Sequence, residues 1–254
     1  MSGRLLLIPN TLDLGTVREG GPAPDLRAVL PQHVIETAAR LTHWVCENAK
    51  TTRAFLKRVD SIVALAQPLQ AIEIRELPRA PKGRPEAALP DLRPLLAPAL
   101  SDHDLGLISE AGLPAVADPG AALVAAAHAA GIEVLALAGP SALLLALAAS
   151  GLNGQSFAFV GYVPQEAAAQ AQRLKELETL SRRLGQTQLM IETPYRNAPL
   201  LRALLAALAP ATRLSVSCGL TLAGGWTRTD DVAGWRKRPQ ELPGDVPAVF
   251  ALLA

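Results

Sequence analysis

Cysteine, aromatic residues and net charge are all scarce in this 254-residue chain, and each shortage excludes a class of protein. Cys46 and Cys218 lie far apart, which excludes a disulfide scaffold and a four-cysteine zinc site and suits a reduced compartment, so the expected location is the cytoplasm. His33, His43, His103 and His128 form no H-x-x-x-H pair, so no metal is expected. Lys and Arg total 24 against 23 Asp and Glu, so any contact with nucleic acid must be a local patch. The balance is 13 basic to 15 acidic before residue 141 and 11 to 8 after it, which marks neither half as a basic domain. There is no G-x-G-x-x-G after the first apolar run and no G-x-x-x-x-G-K-[ST], which removes the ordinary dinucleotide and P-loop signatures. Gly139-Pro140-Ser141-Ala142-Leu143 lacks the second glycine of a nucleophile elbow. The apolar run at 5–9 is shorter than the roughly 7–15 residues of a secretory signal core. The stretch 121–152 is cut by Gly131, Glu133 and Gly139-Pro140, short of the about 20 uninterrupted apolar residues of a membrane helix. It reads as a helix (120–130), a strand (132–138) and a helix (141–151), all buried.

What is present is half hydrophobic and 19% charged, the composition of a globular chain. Strand-length apolar runs at 5–9, 44–47, 72–77, 105–109 and 134–138 alternate with helical stretches at 31–42 and 51–63. In the latter, Phe55, Leu56, Val59 and Ile62 repeat at helical spacing. That alternation predicts a mostly parallel sheet covered on both faces. Residues 78–100 differ: Pro78, Pro81, Pro85, Pro90, Pro94 and Pro98 break any long helix, and Arg79, Lys82 and Arg84 sit among them. This segment is read either as a surface loop around a short helix or as a substrate-facing flap. A second series follows: strand 157–163, helix 166–184, strand 187–192, helix 194–208 and strand 214–218. Segments 226–232 and 247–253 read as a closing antiparallel pair. The expected architecture is an N-terminal α/β domain over 1–140, mostly parallel, and a C-terminal α/β domain over 141–254 with a mixed sheet.

Two strand-to-helix turns concentrate small and polar residues. One runs from Ile108 through Ser109, Glu110, Gly112 and Asp118 to Gly120, and the other is Leu137-Ala138-Gly139-Pro140-Ser141-Ala142. Both fall at the carboxyl edge of the predicted sheet, where open α/β proteins bind ligands. Asp118 alone reads as a turn or helix cap, and Ser141 as the cap of the following helix. The order LISEAGLPAVADPGAALVAAAHAAGIEVLALAGPSALLLALAASGL, followed by FAFVGYVP, resembles the tetrapyrrole methylase superfamily. LMIETPYRNAPLLRALLAAL and VCENAKTTRAFLKRV are similar to segments of its branch of small-subunit ribosomal RNA (cytidine-2′-O)-methyltransferases, and the resemblance spans most of residues 4–250.

The resemblance implies two α/β domains with S-adenosylmethionine (SAM) in a cleft between them, the class III methyltransferase fold, in a homodimer. It assigns the cofactor to Pro9, Gly112, Leu113, Val116, Ser141 and Ala142, with segments near Met190 and Leu220. The chain departs from the pattern at Pro9-Asn10-Thr11-Leu12-Asp13-Leu14-Gly15, at Cys218-Gly219-Leu220-Thr221 and at Tyr195-Arg196, and the carboxyl-terminal extension of longer members is not apparent. Methyl transfer to a ribose hydroxyl needs a proton acceptor. The candidates are Glu110, Glu47, Asp118 and Glu192, with Glu110 first because it matches an acidic position of the resembling motif. Lys50, Arg53, Lys57 and Arg58 read as one helix face able to meet RNA phosphates or simply water. Tyr195 and Arg196 are candidates to hold a nucleotide, and Tyr162 to line a pocket. The acceptor is therefore ribosomal RNA on the nearest resemblance. A tetrapyrrole or other small metabolite, and a non-catalytic SAM-binding role, stay open beside it.

Overall fold

The structure is a computed structural model that describes residues 3–13, 25–78 and 91–254. Arg79, Lys82 and Arg84 of the proline-rich segment, and Leu14-Gly15 of the first loop, lie outside the described residues. The chain divides into two compact units, Met1–Pro140 and Ser141–Ala254.

In the first unit, β1 (Arg4–Leu7) is followed by α1 (Gln32–Arg40), β2 (His43–Cys46), α2 (Ala49–Asp60) and β3 (Glu73–Glu76). Then come a short α3 (Ala97–Leu100), β4 (Leu105–Ile108), α4 (Ala121–Ala129) and β5 (Glu133–Ala136). All five strands are parallel in the order β3-β2-β4-β1-β5. The alternation of side chains explains why both faces are covered. Leu6, Ile8, Trp44, Cys46 and Ile108 pack with Val34, Ile35, Phe55 and Leu56 of α1 and α2. Leu5, Val45, Leu105 and Leu107 face the other way, onto Leu96, Leu123 and Ala127. Trp44 is seated against a glycine: a Cβ at Gly106 would lie 2.8 Å from its ring. α2 begins at Asn48, whose Oδ1 accepts the Lys50 amide at 2.9 Å, and it buries Thr52, Phe55, Leu56 and Val59 along one stripe.

The second unit opens with α5 (Ala142–Ser150), then β6 (Phe157–Phe159), α6 (Ala167–Leu184), β7 (Thr187–Ile191) and α7 (Asn197–Ala207). It closes with β8 (Arg213–Cys218), β9 (Trp226–Asp231), α8 (Val232–Lys237) and β10 (Ala248–Leu253). The sheet order is β6-β7-β10-β8-β9, parallel only between β6 and β7. Leu143, Ala146 and Leu147 of α5 pack on Leu189, Val249 and Ala251 on one face. Leu174, Leu177, Leu200, Leu204 and Trp235 pack on Met190, Val216 and Phe250 on the other. The buried Trp235 indole N–H donates to the Leu214 carbonyl at 2.8 Å, and the Arg228 guanidinium lies 4.0 Å from the ring centroid.

Three sequence expectations are corrected here. The closing strands β9 and β10 do not pair with each other, because β8 lies between them and pairs antiparallel with both. Local pattern identifies strands but not which neighbour supplies the hydrogen bonds. The helix read over 194–208 starts as a 3-10 turn, Pro194–Arg196, before α7. α8 follows β9 where no element is expected, between the segments 226–232 and 247–253; Asp231 caps it by accepting the Gly234 amide at 2.5 Å. No helix among the described residues is long and apolar enough to cross a membrane.

Candidate functional site

The site of the first unit is built where β1, β2 and β4 end. After β1 the chain turns at Pro9 and Asn10, and Asn10 exchanges backbone hydrogen bonds with Gly112 at 2.8 and 3.2 Å. Its side-chain amide donates to the Ser109 and Glu110 carbonyls at 3.1 and 3.0 Å. The loop after β1 is thus sewn to the long turn after β4. That turn carries four residues with positive φ: Gly112 (67°), Ala115 (66°), Ala117 (63°) and Gly120 (133°). Alanine seldom adopts this conformation, so Ala115 and Ala117 hold local strain of a kind that clusters at ligand sites. Gly139 lets the turn after β5 close on the first loop, because a Cβ there would overlap the Pro9 ring.

Three carboxylates and an amide meet beside this turn. The Glu110 amide donates to Glu47 Oε2 at 3.2 Å, and Asn48 Nδ2 donates to Glu110 Oε1 at 2.9 Å. Glu47, Asn48, Glu110 and Asp118 line one cavity of about 740 Å³, with Leu77 and Pro119 among its apolar walls. Burial, reinforced by the charges of Glu47 and Glu110, pushes the Asp118 carboxyl from its ordinary 3.8 up to about 6, against a lowering hydrogen bond from Ser109. Asp118 does not cap a helix: Gly120 occupies the N-cap of α4. A smaller groove on the outer face of α6, about 680 Å³, has none of these features.

The other sequence candidates separate. Pro9 and Gly112 are buried at the sewn turn, Leu113 is half-buried, and Val116 is exposed. In the second unit, Ser141 caps α5 by backbone position, with no side-chain capping bond, and is buried; Ala142 begins the helix. The Met190 side chain is wholly buried in the core, whereas Leu220 is half-buried in the turn after β8. Burial raises the Cys218 thiol, as does the charge of Asp245. Buried Glu192 and half-buried Arg196 form an ion pair at 2.8 Å, so each is already engaged by the other, while Tyr195 and Tyr162 are exposed.

On α2, Lys50, Arg53 and Lys57 are exposed as the stripe reading requires. Arg58 is not in that stripe. At 100° per residue it falls on a different face from Lys57, and its Nη1 lies 3.0 Å from Asp13 Oδ2. Sequence reading passed over Asn10, Asp13 and Asn48. Asn48, an asparagine just ahead of an amphipathic run, carried a legible capping signal. The partners of Asn10 and Asp13 are about 50 to 100 positions away in sequence, where no local signal reaches.

The sequence profile of the family described as Tetrapyrrole (Corrin/Porphyrin) Methylases matches residues 23–226. A Vibrio cholerae serotype O1 protein named Ribosomal RNA small subunit methyltransferase I is 40% identical over 97 residues, which are 38% of this chain and 32% of that protein. A protein of the same name from Mesorhizobium japonicum is 39% identical over 127 residues, 50% of this chain and 42% of its own length. The matches therefore span less than half of either relative. A crystal structure of uroporphyrin-III-C-methyltransferase from Thermus thermophilus superposes with a TM-score of 0.49 at 18% identity, over 100% of this chain and 93% of that one.

Proposed function

The chain belongs to the tetrapyrrole methylase family, and from that premise we propose that it is a SAM-dependent methyltransferase acting on a ribose 2′-hydroxyl of small-subunit ribosomal RNA, as a cytoplasmic homodimer. The observation that carries this reading is the sewn pair of turns after β1 and β4 with a carboxylate-lined cavity beside it. The names of the relatives support ribosomal RNA as the acceptor.

The residues present fit a cofactor bearing a positive sulfonium. The turn that carries Gly112, Ala115, Ala117 and Gly120 at positive φ would hold it, and Glu47, Glu110 and Asp118, which line the cavity beside that turn, favour the positive charge. When bound, SAM supplies a methyl group on sulfur. The chain contributes orientation of the acceptor, apolar walls at the buried Leu77 and Leu92, and an acceptor for the hydroxyl proton. Glu110 is oriented for that task by Asn48, and Asp118 is tuned closer to neutral pH. The two share one cavity.

The cavity also sorts acceptors. Its carboxylates repel a polycarboxylate tetrapyrrole throughout, but repel an RNA only where a phosphate would enter. A ribose can enter while its phosphates meet Lys50, Arg53 and Lys57 outside. The test is calorimetric titration with S-adenosylhomocysteine, followed by methyl transfer from labelled SAM to ribosomal subunits of a strain lacking the gene. Cofactor binding and label in ribose 2′-O-methyl nucleosides are expected. No binding by well-folded protein rejects the methyltransferase reading, and turnover only with small acceptors rejects the RNA.

A further inference from the structure

Arg58 is a basic residue of α2 whose charge is spent inward. Its side chain is 20% exposed, and that of its partner Asp13 only 5%. Arg58 Nη1 reaches Asp13 Oδ2 at 3.0 Å and the Thr11 hydroxyl at 3.4 Å. The Thr11 hydroxyl in turn donates to Asp13 Oδ1 at 2.9 Å, and the Thr11 amide donates to Asn10 Oδ1 at 2.9 Å. Asn10 closes the series through its bonds to Ser109, Glu110 and Gly112. One continuous set of polar contacts therefore runs from α2, through the loop after β1, to the turn after β4.

The two ends of that loop are held differently. Asn10 is fixed by backbone pairing to a neighbouring strand end. At Asp13 the hold includes a guanidinium delivered from a helix. Removing a guanidinium from a buried carboxylate is unfavourable, so Arg58 contributes to holding the loop conformation at Asp13. The same helix displays Lys50, Arg53 and Lys57 to solvent.

We propose that Arg58 is a positioning residue of the cofactor site, not a substrate contact: it clamps Thr11 and Asp13 so that Asn10 presents the Gly112 turn in its binding conformation. The proposal rests on the SAM-binding reading for its ligand, and on the contacts above for its geometry.

The experiment uses the full chain, S-adenosylhomocysteine as probe, and Arg58→Gln, Arg58→Lys, Asp13→Asn and the Arg58→Gln/Asp13→Asn double variant. Arg58→Gln is expected to weaken S-adenosylhomocysteine about tenfold or more while the salt slope of RNA binding stays that of the parent. Arg58→Lys, which keeps the charge, recovers most of the loss. The double variant is expected to lose no more than the worse single, the signature of two residues acting as a unit. An affinity within about twofold of the parent for Arg58→Gln, with a salt slope reduced by about one, would make Arg58 a phosphate contact and overturn the proposal.

Amide exchange separates this proposal from the SAM-binding reading. In the free protein, Arg58→Gln should speed exchange at Asn10 and Gly112 about tenfold or more relative to Phe55 and Leu56 within α2. If the parent fails to bind S-adenosylhomocysteine, the methyltransferase reading falls, and the clamp stands or falls on this exchange. Unchanged exchange at Asn10 and Gly112 overturns it. Faster exchange throughout α2 as well also overturns it, since Arg58 would then be an ordinary stabilising contact of the helix.

Discussion

At the scale of single residues, the electrostatics of buried groups make the sharpest statements. Asp118 binds its proton more tightly in the folded chain than its ordinary value of 3.8. Folding therefore takes up a proton between about pH 4 and 6, and stability falls as pH rises through that window. A shift of this size is nominally about 3 kcal/mol, reduced to on the order of 1–2 kcal/mol because the group is partly solvated. Asp118→Asn should thus be more stable than the parent by about 1–2 kcal/mol at pH 7.5 and equal to it near pH 3.5, read by urea unfolding at the two pH values. An advantage independent of pH would mean that the carboxyl is not held up by its neighbours. The Glu192–Arg196 pair behaves differently, because both charges are compensated. Arg196→Gln leaves the Glu192 charge buried alone and should cost about 3–5 kcal/mol, whereas Glu192→Gln/Arg196→Gln should cost clearly less. Denaturant midpoints of the three proteins check this, and equal losses for single and double variants would show that the charge is not the cause.

At the scale of elements, α2 joins the sheet to the site through its N-cap residue. Asn48 caps the helix with Oδ1 and holds Glu110 with Nδ2. Asn48→Ala should cost about 1 kcal/mol from the cap alone. Asn48→Asp keeps the cap but sets a further carboxylate against Glu110 and Glu47. Its stability should therefore drop relative to Asn48→Ala as pH rises from 5 to 7.5, with thermal unfolding at both pH values as the measurement. A constant gap between the variants would show that residue 48 does not feel the carboxylates. The capping signal and the apolar stripe of α2 were both readable from local pattern. The inward turn of Arg58 was not, because a basic residue at the edge of a stripe reads the same whether it meets water or a carboxylate from another segment.

For the whole molecule, the near balance of 24 basic and 23 acidic residues limits how it can hold RNA. With Arg58 withdrawn, the α2 face offers Lys50, Arg53 and Lys57. Changing those three to glutamine should lower the steepness of log K against log salt by up to about three for a duplex-like RNA, roughly 0.9 per phosphate contact, without loss of S-adenosylhomocysteine affinity. Filter binding across a salt series measures it. An unchanged slope would return α2 to the status of a solvated helix and leave the acceptor to be sought among uncharged small molecules.

The sequence by itself determined the α/β class, the position of nearly every strand and helix, and the two turns on which the family resemblance rests. These depend on periodicities of two and 3.6 residues and on glycine, proline and capping preferences, all of them interactions within a few residues. Only the tertiary structure decided that β8 separates β9 from β10, that Asn10 sews one turn to the other, that Glu47, Glu110 and Asp118 share a cavity, and that Arg58 is turned onto Asp13. Each of these joins residues that chain folding alone brings together. A carboxylate's proton affinity and an arginine's partner are properties of the surrounding space, which the order of residues does not display locally.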